Sequence, residues 1–418
     1  MKNILIIYPH WVPANLAGVH RPRLIGNYLH EFDWKVTLLT VHSDYYEEKL
    51  DYDFSKTASP EIDVRYSKAF NVTKPRIIGD IGLRGFFQLK KQALNIIKEK
   101  KIDFIWIPIP SFYVAILGRI LFNKTKIPYG IDYIDPWVRD ISNRKNLRSR
   151  FSNLVAKILE PYAVKKASLI SGVSIPYFQP VLDRNFKNKT IAYVGMPYGF
   201  DPNDHKIKLE NIKYPWSDFA NCIPIVYAGA FLPKSGLFTQ LLFKSIKNLI
   251  DKQLWNTNTK LYFIGTGNYS HKSITEYAEE ACISQYIYEI RERFAFLDIL
   301  NFLSASKGVM VIGSTEKHYT ASKIFQSLLS EKPVFSVFHS ESSAIEILKE
   351  VEGTNYSVKY FENETEHVLQ QKIETTFLQF INNSEIWNPD LTKLDKYSAK
   401  ESARKLAVQL DLLTELGN

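Results

Sequence analysis

Cysteine is scarce in this sequence, with Cys222 and Cys282 the two examples among 418 residues. Two thiols exclude a disulfide-stapled scaffold and any zinc site built from four cysteines. The sequence also lacks the His-Glu-x-x-His zinc motif, the nucleophile elbow of hydrolases and the Gly-Lys-Ser/Thr order of a Walker phosphate loop. These absences predict a reduced, intracellular protein.

Long hydrophobic runs are also lacking. The longest, Phe104 to Leu117, is interrupted by Pro108 and Pro110, whereas a membrane-spanning helix needs about 20 apolar residues. The early apolar run Ile4–Tyr8 is too short for the core and cleavage site of a signal peptide. We therefore expect a cytoplasmic protein without a transmembrane anchor, and any work at a membrane would be peripheral.

Charge is abundant but unevenly distributed. The net charge is +9, which favours an anionic partner. Residues 1–200 carry 30 basic and 17 acidic side chains, a net charge of +13, while residues 201–418 carry 23 and 27, a net charge of −4. We expect no nucleic-acid partner, because the basic residues are dispersed and no recognised nucleic-acid motif is present.

The basic runs of the first half fit peripheral contact with an anionic membrane surface. A solvated basic face that aids solubility is the alternative. The runs are Arg139, Arg144, Lys145, Arg148 and Arg150, and Lys98, Lys100 and Lys101.

Short β-branched runs alternate with amphipathic stretches, which predicts α/β architecture with parallel sheets. At 418 residues the chain exceeds the usual size of one core. We expect two doubly wound Rossmann-like domains facing across a cleft, at 1–200 and 222–390, with a linker at 201–221 and a closing helix within 391–418. Strands are predicted at Asn3–Tyr8, Lys35–Thr40, Ile62–Tyr66, Asp103–Ile107, Pro128–Ile131, Leu169–Val173, Thr190–Val194, Ile223–Tyr227, Lys260–Ile264, Arg293–Phe296, Gly308–Ile312, Pro333–Val337 and Tyr356–Tyr360.

Two loops of the second half have features of anion sites. After the strand ending at Ile312, a helix is expected from Ser322, and its first amide groups would attract an anion. Lys323 in that first turn opposes the helix dipole, which favours an anionic ligand, although a solvated lysine behind a plain N-cap is the alternative. In the other loop, Gly229 would let a ligand approach the backbone closely beside Lys234. A simple turn with a surface lysine explains this loop equally well.

Two carboxylates, Asp132 and Asp135, follow a strand of the first half. Side chains three apart on an extended segment point to opposite faces, so a shared metal is not expected. Asp135 precedes Pro136 and is held extended, where it would either accept a sugar hydroxyl or cap the strand end.

Taken in order, six segments resemble glycosyltransferases of the GT-B fold, specifically family 4. The similarity runs through nearly the whole chain. The segments are Asn3–Tyr8 with Gly18 and Arg21, Asp132–Trp137, Ala167–Ser174, Tyr198–Pro202, Tyr227–Gly229 with Lys234, and Tyr319–Pro333.

The resemblance implies a nucleotide-sugar donor in the second half, a glycan or lipid-phosphate-linked acceptor in the first, and transfer with retention without a metal or other cofactor. Together, the residues and the resemblance predict catalytic roles for Lys234, Lys323, His318 and Asp135. Donor-binding roles are predicted for Gly229, Tyr319, Thr320, Ala321, Ser322 and Gln326. The acceptor side is predicted to include Gly18, Arg21 and Trp137.

Four positions depart from the family pattern. His318 and Gln326 stand where the family usually has glutamates, Ala230 replaces an arginine, and Tyr198 replaces the hinge asparagine. The leading hypothesis is a transferase that builds a bacterial surface polysaccharide. A degenerate, non-catalytic homologue serving as a partner in a glycan-assembly complex is the first alternative, and a nucleotide-sugar epimerase is the second.

Overall fold

The computed structural model describes residues 1–73, 79–139, 147–187, 190–315, 323–383 and 386–415. The chain forms two compact units. Unit 1 contains Met1–Asp201 together with Tyr397–Asn418, and unit 2 contains Pro202–Lys396. The domain limits expected from the sequence, 1–200, 201–221, 222–390 and 391–418, remain predictions.

Strands and helices alternate through both units. The strands are β1 Lys2–Ile7, β2 Trp34–Val41, β3 Asp63–Ser67, β4 Phe104–Ile109, β5 Tyr129–Tyr133, β6 Leu169–Gly172, β7 Ala192–Gly195, β8 Ile223–Ala228, β9 Thr259–Ile264, β10 Ile287–Ile290, β11 Gly308–Ile312, β12 Val334–His339 and β13 Ser357–Tyr360. The helices are α1 Ala17–Leu29, α2 Ile81–Arg84, α3 Phe86–Glu99, α4 Ala115–Thr125, α5 Leu147–Val164, α6 Ile175–Asn185, α7 Gly236–Asp251, α8 Ile274–Glu280, α9 Phe296–Ala305, α10 Lys323–Leu329, α11 Ser343–Glu350, α12 Glu366–Ile381 and α13 Ala399–Glu415.

Unit 1 is built on a seven-stranded parallel sheet in the order β3-β2-β1-β4-β5-β6-β7. Its central strands read as continuous apolar runs because helices cover both faces of such a sheet. In β4 every residue from Phe104 to Ile109 is buried. The strand order reverses between β1 and β4, which makes the carboxyl ends of these two strands the switch point of unit 1.

Unit 2 repeats the plan with a six-stranded parallel sheet in the order β10-β9-β8-β11-β12-β13. Its switch point lies between β8 and β11. The predicted pair of Rossmann-like α/β domains is therefore confirmed.

The final helix returns to unit 1. The amide of Ala399 donates to the main-chain oxygen of Phe200 at 2.8 Å. Farther along α13, the Asp411 carboxylate accepts hydrogen bonds from Lys2 at 2.9 Å and from the Trp34 indole at 3.1 Å. These contacts fasten α13 to the start of the first sheet.

One predicted strand is wrong. The strand expected at Arg293–Phe296 is instead β10 at Ile287–Ile290, where Ile287 pairs with Leu261 of β9. Helix α9 already begins at Phe296, so the end of the predicted strand is helical. The β-branched ends of β10 suit a sheet edge better than the charged segment around Arg293. The other twelve predicted strands lie within two residues of their observed limits.

Candidate active site

The candidate site of unit 2 lies at its switch point, where parallel α/β sheets usually bind ligands. The segments after β8 and β11 are joined there. The Ser235 hydroxyl donates to the main-chain oxygen of Gly313 at 2.6 Å, and the amide of Thr315 donates to the main-chain oxygen of Lys234 at 3.0 Å. These bonds hold the two loops side by side, with the Lys234 side chain exposed.

Position 229, directly after β8, requires a glycine for two reasons. Its φ of +122° lies in the region that favours glycine. A Cβ atom at this position would lie 2.5 Å from Cε of Lys323. The missing side chain therefore lets Lys323 cross closely over the backbone at the end of β8, which joins two residues predicted separately.

The Lys323 ammonium is held by neutral groups. Its Nζ donates to the Tyr227 hydroxyl at 2.8 Å and to the main-chain oxygen of Ala230 at 3.0 Å. It also lies 4.4 Å from the centroid of the Tyr227 ring, within cation–π range. The described residues place no carboxylate within ion-pair distance, and burial lowers the pKa of Lys323 to about 8. This is a fixed cation without a counter-ion among the described residues.

Gln326 lies one helical turn after Lys323 on α10 and contacts the segment that begins unit 2. Its Oε1 lies 2.6 Å from Nε2 of His205. Burial lowers the pKa of His205, while the hydrogen bond to Gln326 acts in the opposite direction. A neutral His205 with its proton on Nε2 therefore donates to Gln326, and its buried Nδ1 has no hydrogen-bond partner among the residues described.

The predicted residues His318, Tyr319, Thr320, Ala321 and Ser322 lie outside the described residues. Helix α10 is described from Lys323 onward. The expected anion site at the first helical amides, and the roles predicted for these five residues, stay predictions.

In unit 1, Gly18 lies beside the switch point. A Cβ atom there would come within 1.9 Å of the Tyr8 hydroxyl oxygen and 3.9 Å of Cδ of Pro110. Tyr8 follows β1 and Pro110 follows β4, so Gly18 packs against the carboxyl ends of both strands. Burial raises the pKa of Tyr8 well above its usual value, which keeps this phenol protonated.

Arg21 is fully buried and pairs with Asp132. Its Nε and Nη2 donate to the two carboxylate oxygens at 2.9 and 3.0 Å, while Nη1 donates to the main-chain oxygens of Met196 and Pro197. Ser171 donates to the same carboxylate at 2.7 Å. The Arg21 guanidinium therefore fastens α1 to β5 and to the segment after β7, away from solvent.

Asp135 and Trp137 occupy different environments. Asp135 is half-buried and lines a groove of about 830 Å³ with Arg139, Lys157 and Arg184. Trp137 is buried in the core of unit 1 and stacks on Phe112 with ring centroids 5.8 Å apart. Asp135 is therefore accessible to a ligand, whereas Trp137 is a packing residue.

No three His, Cys, Asp or Glu side chains among the described ranges form a group that could hold a metal ion. Likewise, no helix in the described part of the chain is long and apolar enough to cross a membrane.

Two residues of the site were missed by sequence reasoning. Tyr227 holds Lys323 from a position 96 residues away, and His205 contacts Gln326 across 121 residues. An aromatic residue two positions before a strand-end glycine is a weak signal for Tyr227. Nothing in the sequence pairs His205 with Gln326, because that contact depends on the tertiary fold.

Comparison with solved structures identifies similar folds. The chain matches a glycosyltransferase from Rickettsia africae at a TM-score of 0.57 and 13% identity, covering 99% of this chain and 98% of that one. It matches Anabaena HepE, solved with UDP and glucose, at 0.55 and 14%, covering 99% and 100%. A Listeria monocytogenes protein provisionally named a UDP-N-acetylglucosamine 2-epimerase matches at 0.52 and 12%, covering 100% and 98%.

No protein-family model matches the chain, and no curated protein matches it in sequence. At 12–14% identity the structural matches establish fold alone. The chain has two parallel-sheet Rossmann-like domains of the kind found in GT-B glycosyltransferases.

Proposed function

We propose that this protein is a GT-B glycosyltransferase of the family 4 type, which moves a sugar from a nucleotide-sugar donor to a glycan or lipid-linked acceptor with retention. The observation that carries the proposal is the Lys323 ammonium, held over Gly229 at the switch point of unit 2 by Tyr227 and Ala230. A fixed cation at such a place suits the diphosphate of a nucleotide sugar.

Lys323 would act on the leaving group. When the bond between sugar and diphosphate breaks, negative charge develops on the departing phosphate oxygens. A cation that is already oriented and partly desolvated stabilises that charge with little reorganisation. Lys234 would add a second positive charge from the neighbouring loop. Two lysines in these positions would supply the charge stabilisation that other transferases take from a metal ion, so we propose a metal-independent reaction.

Gln326 would contact the donor through its amide nitrogen. His205 already occupies the amide oxygen at 2.6 Å, which leaves the N–H groups of Gln326 to donate to a ribose hydroxyl. A neutral amide in place of the family's glutamate brings no negative charge near the diphosphate. The His205–Gln326 pair would therefore orient the donor without opposing Lys323.

The acceptor would bind to unit 1. Asp135 lines a groove with three basic residues, of which Arg184 is paired with the buried Glu160 while Arg139 and Lys157 are exposed. A carboxylate beside two exposed cations suits an acceptor that has a hydroxyl to be oriented and a phosphate to be neutralised. We propose a lipid-phosphate-linked acceptor in bacterial surface polysaccharide synthesis, reached by a cytoplasmic protein at the membrane surface.

The proposal is tested with a panel of nucleotide sugars, beginning with UDP-glucose because uridine nucleotides occur in the HepE complexes. We expect one donor to raise the melting temperature and to release nucleoside diphosphate when an acceptor is supplied. Lys323→Met should lose both signals, while Lys307→Met, an exposed lysine at the opposite end of β11, should keep them. The absence of both signals with every donor would contradict the proposal.

An epimerase is the second candidate, supported by the fold match to the Listeria protein. It predicts conversion of a nucleotide sugar without any acceptor, which is visible as a new sugar nucleotide by chromatography. A degenerate homologue predicts no donor binding and unchanged cellular function in the Lys323→Met variant. The same panel therefore separates all three functions.

A further inference from the structure

Helix α5 exposes a row of large apolar side chains, although soluble proteins usually bury such residues. Phe151 is 69% exposed, Leu154 55%, Ile158 64% and Tyr162 40%. The spacings of three, four and four residues place them on one side of the helix. We call these four residues the α5 stripe.

The charges around the α5 stripe have one sign. Arg150, Lys157, Lys165 and Lys166 are all exposed on or just after the helix. The one acidic residue of α5, Glu160, is fully buried and accepts from Arg184 at 2.8 Å. The exposed face of α5 is therefore apolar and basic, with no carboxylate in its described part.

The basic run at Lys98–Lys101 behaves differently. Lys100 pairs with Asp63 at 2.5 Å, and Lys101 pairs with Asp103 at 2.9 Å. Each of these two lysines therefore has a carboxylate partner within unit 1. The excess positive charge of the first half is thus more available on α5 than at this second run.

The apolar surface continues beyond α5. On α6, Ile175 is 43% exposed and Tyr177 is 47% exposed. Tyr177 and Lys157 line the same groove, which places the start of α6 beside α5. Arg119 of α4 stacks on the Tyr162 ring at 4.0 Å, adding a further cation at the far end of the α5 stripe.

We propose that the α5 stripe is a membrane-docking surface that inserts its apolar side chains into the interface of an anionic lipid bilayer. Apolar residues beside Lys and Arg, without acidic residues, are the composition of helices that lie in a bilayer surface. A second copy of this chain fits less well, because a symmetric contact pairs this face with itself and would bring the exposed basic residues of both copies together without a carboxylate from the described part of either face.

The proposal rests on the proposed function, since it specifies the surface through which a lipid-linked acceptor is reached. Its readout nevertheless requires neither donor nor acceptor. Binding to lipid and binding to nucleotide sugar are measured separately on the same proteins, so the failure of one does not conceal the other.

The experiment is flotation of the full chain with vesicles of phosphatidylcholine alone or mixed with phosphatidylglycerol, at low and high salt. We expect the wild-type protein to float with the anionic vesicles at low salt, and less at high salt. Phe151→Ser/Ile158→Ser should weaken this binding about tenfold or more. The control Val408→Ser/Leu412→Ser, which removes exposed apolar residues of α13, should bind like the wild type.

Charge is tested with Lys157→Glu/Lys165→Glu, which should remove the preference for anionic vesicles. Equal vesicle binding by the wild-type and α5-stripe variants would overturn the proposal. The proposal would also be overturned if the wild type formed dimers without lipid in sedimentation experiments and Phe151→Ser/Ile158→Ser abolished them. Every variant is also checked by circular dichroism and a melting curve without ligand, since a variant that melts cooperatively like the wild type has kept its fold.

Discussion

Each unit holds a cation near the carboxyl ends of its strands, and the two cations are in opposite states. In unit 1, Arg21 meets a carboxylate and two main-chain oxygens and has no exposure. In unit 2, Lys323 meets a phenol and one main-chain oxygen, with no carboxylate among its described neighbours. A saturated cation fastens structural elements together, whereas an unsaturated one still has charge to offer a ligand. The two cations occupy different places in the repeated plan, Arg21 on the helix after β1 and Lys323 on the helix after β11. We expect the first to serve structure and the second to serve binding.

Removing Arg21 should have the largest effect and should act on stability. Arg21→Met leaves the Asp132 carboxylate buried without its counter-ion, which costs about 3–5 kcal/mol. We expect this loss in the free energy of unfolding of unit 1, measured by denaturant titration. Arg21→Met/Asp132→Leu should recover much of it, because both charges are then gone. A single variant as stable as the wild type would mean that the pair contributes little.

Removing Lys323 should have the opposite pattern. Lys323→Met deletes a partly desolvated cation that has no carboxylate partner among the described residues, so stability should hold or rise. Turnover of the donor should fall about 10²–10³-fold, the usual cost of removing one charge-stabilising donor. Melting curves measure the stability of the variant, and steady-state kinetics measure its turnover. Loss of stability without loss of turnover would make Lys323 the structural cation and reverse the comparison.

The fold could be predicted from sequence, and so could the cations themselves, but not the groups that each cation contacts. Apolar strands alternating with amphipathic helices determine a doubly wound fold locally, so twelve of thirteen predicted strands were confirmed. Gly229 and Lys323 were each predicted from their motifs. The partners of the two cations were not predicted, because Tyr227 lies 96 residues from Lys323 and Asp132 lies 111 residues from Arg21. Which cation becomes neutralised depends on tertiary neighbours that spacing does not encode.

The charge state of Lys323 should make donor binding depend on pH. Burial lowers the pKa of Lys323 to about 8, so the free protein loses this charge above that pH. Donor affinity should then weaken with rising pH, by at most about tenfold per unit. The sign for stability is the reverse, since an unfolded lysine titrates near 10.4. The unfolded chain holds more protons between these values, so this contribution to stability increases as pH rises.

Calorimetric titration of the donor between pH 7 and 10, a range that brackets the Lys323 pKa of about 8, tests this expectation, with Lys323→Met as the reference. The wild-type affinity should decline through that range and the variant should follow a flatter line. Parallel slopes for the two proteins would assign the pH dependence to another group.

The smallest effect is expected at His205, which in the described part of the chain reaches the proposed donor site through Gln326. His205→Leu removes a hydrogen bond whose net value is about 1 kcal/mol, so KM for the donor should rise roughly fivefold while kcat stays nearly constant. Gln326→Leu should raise KM at least as much, because it also removes the proposed direct contact with the donor. The double variant should be no worse than Gln326→Leu, because His205 acts through Gln326. His205→Asn, which can still donate to the amide oxygen, should restore part of the affinity. A fall in kcat as large as that of Lys323→Met would instead mean that His205 contacts the reacting atoms, and the second unit would then hold two unsaturated groups at its switch point.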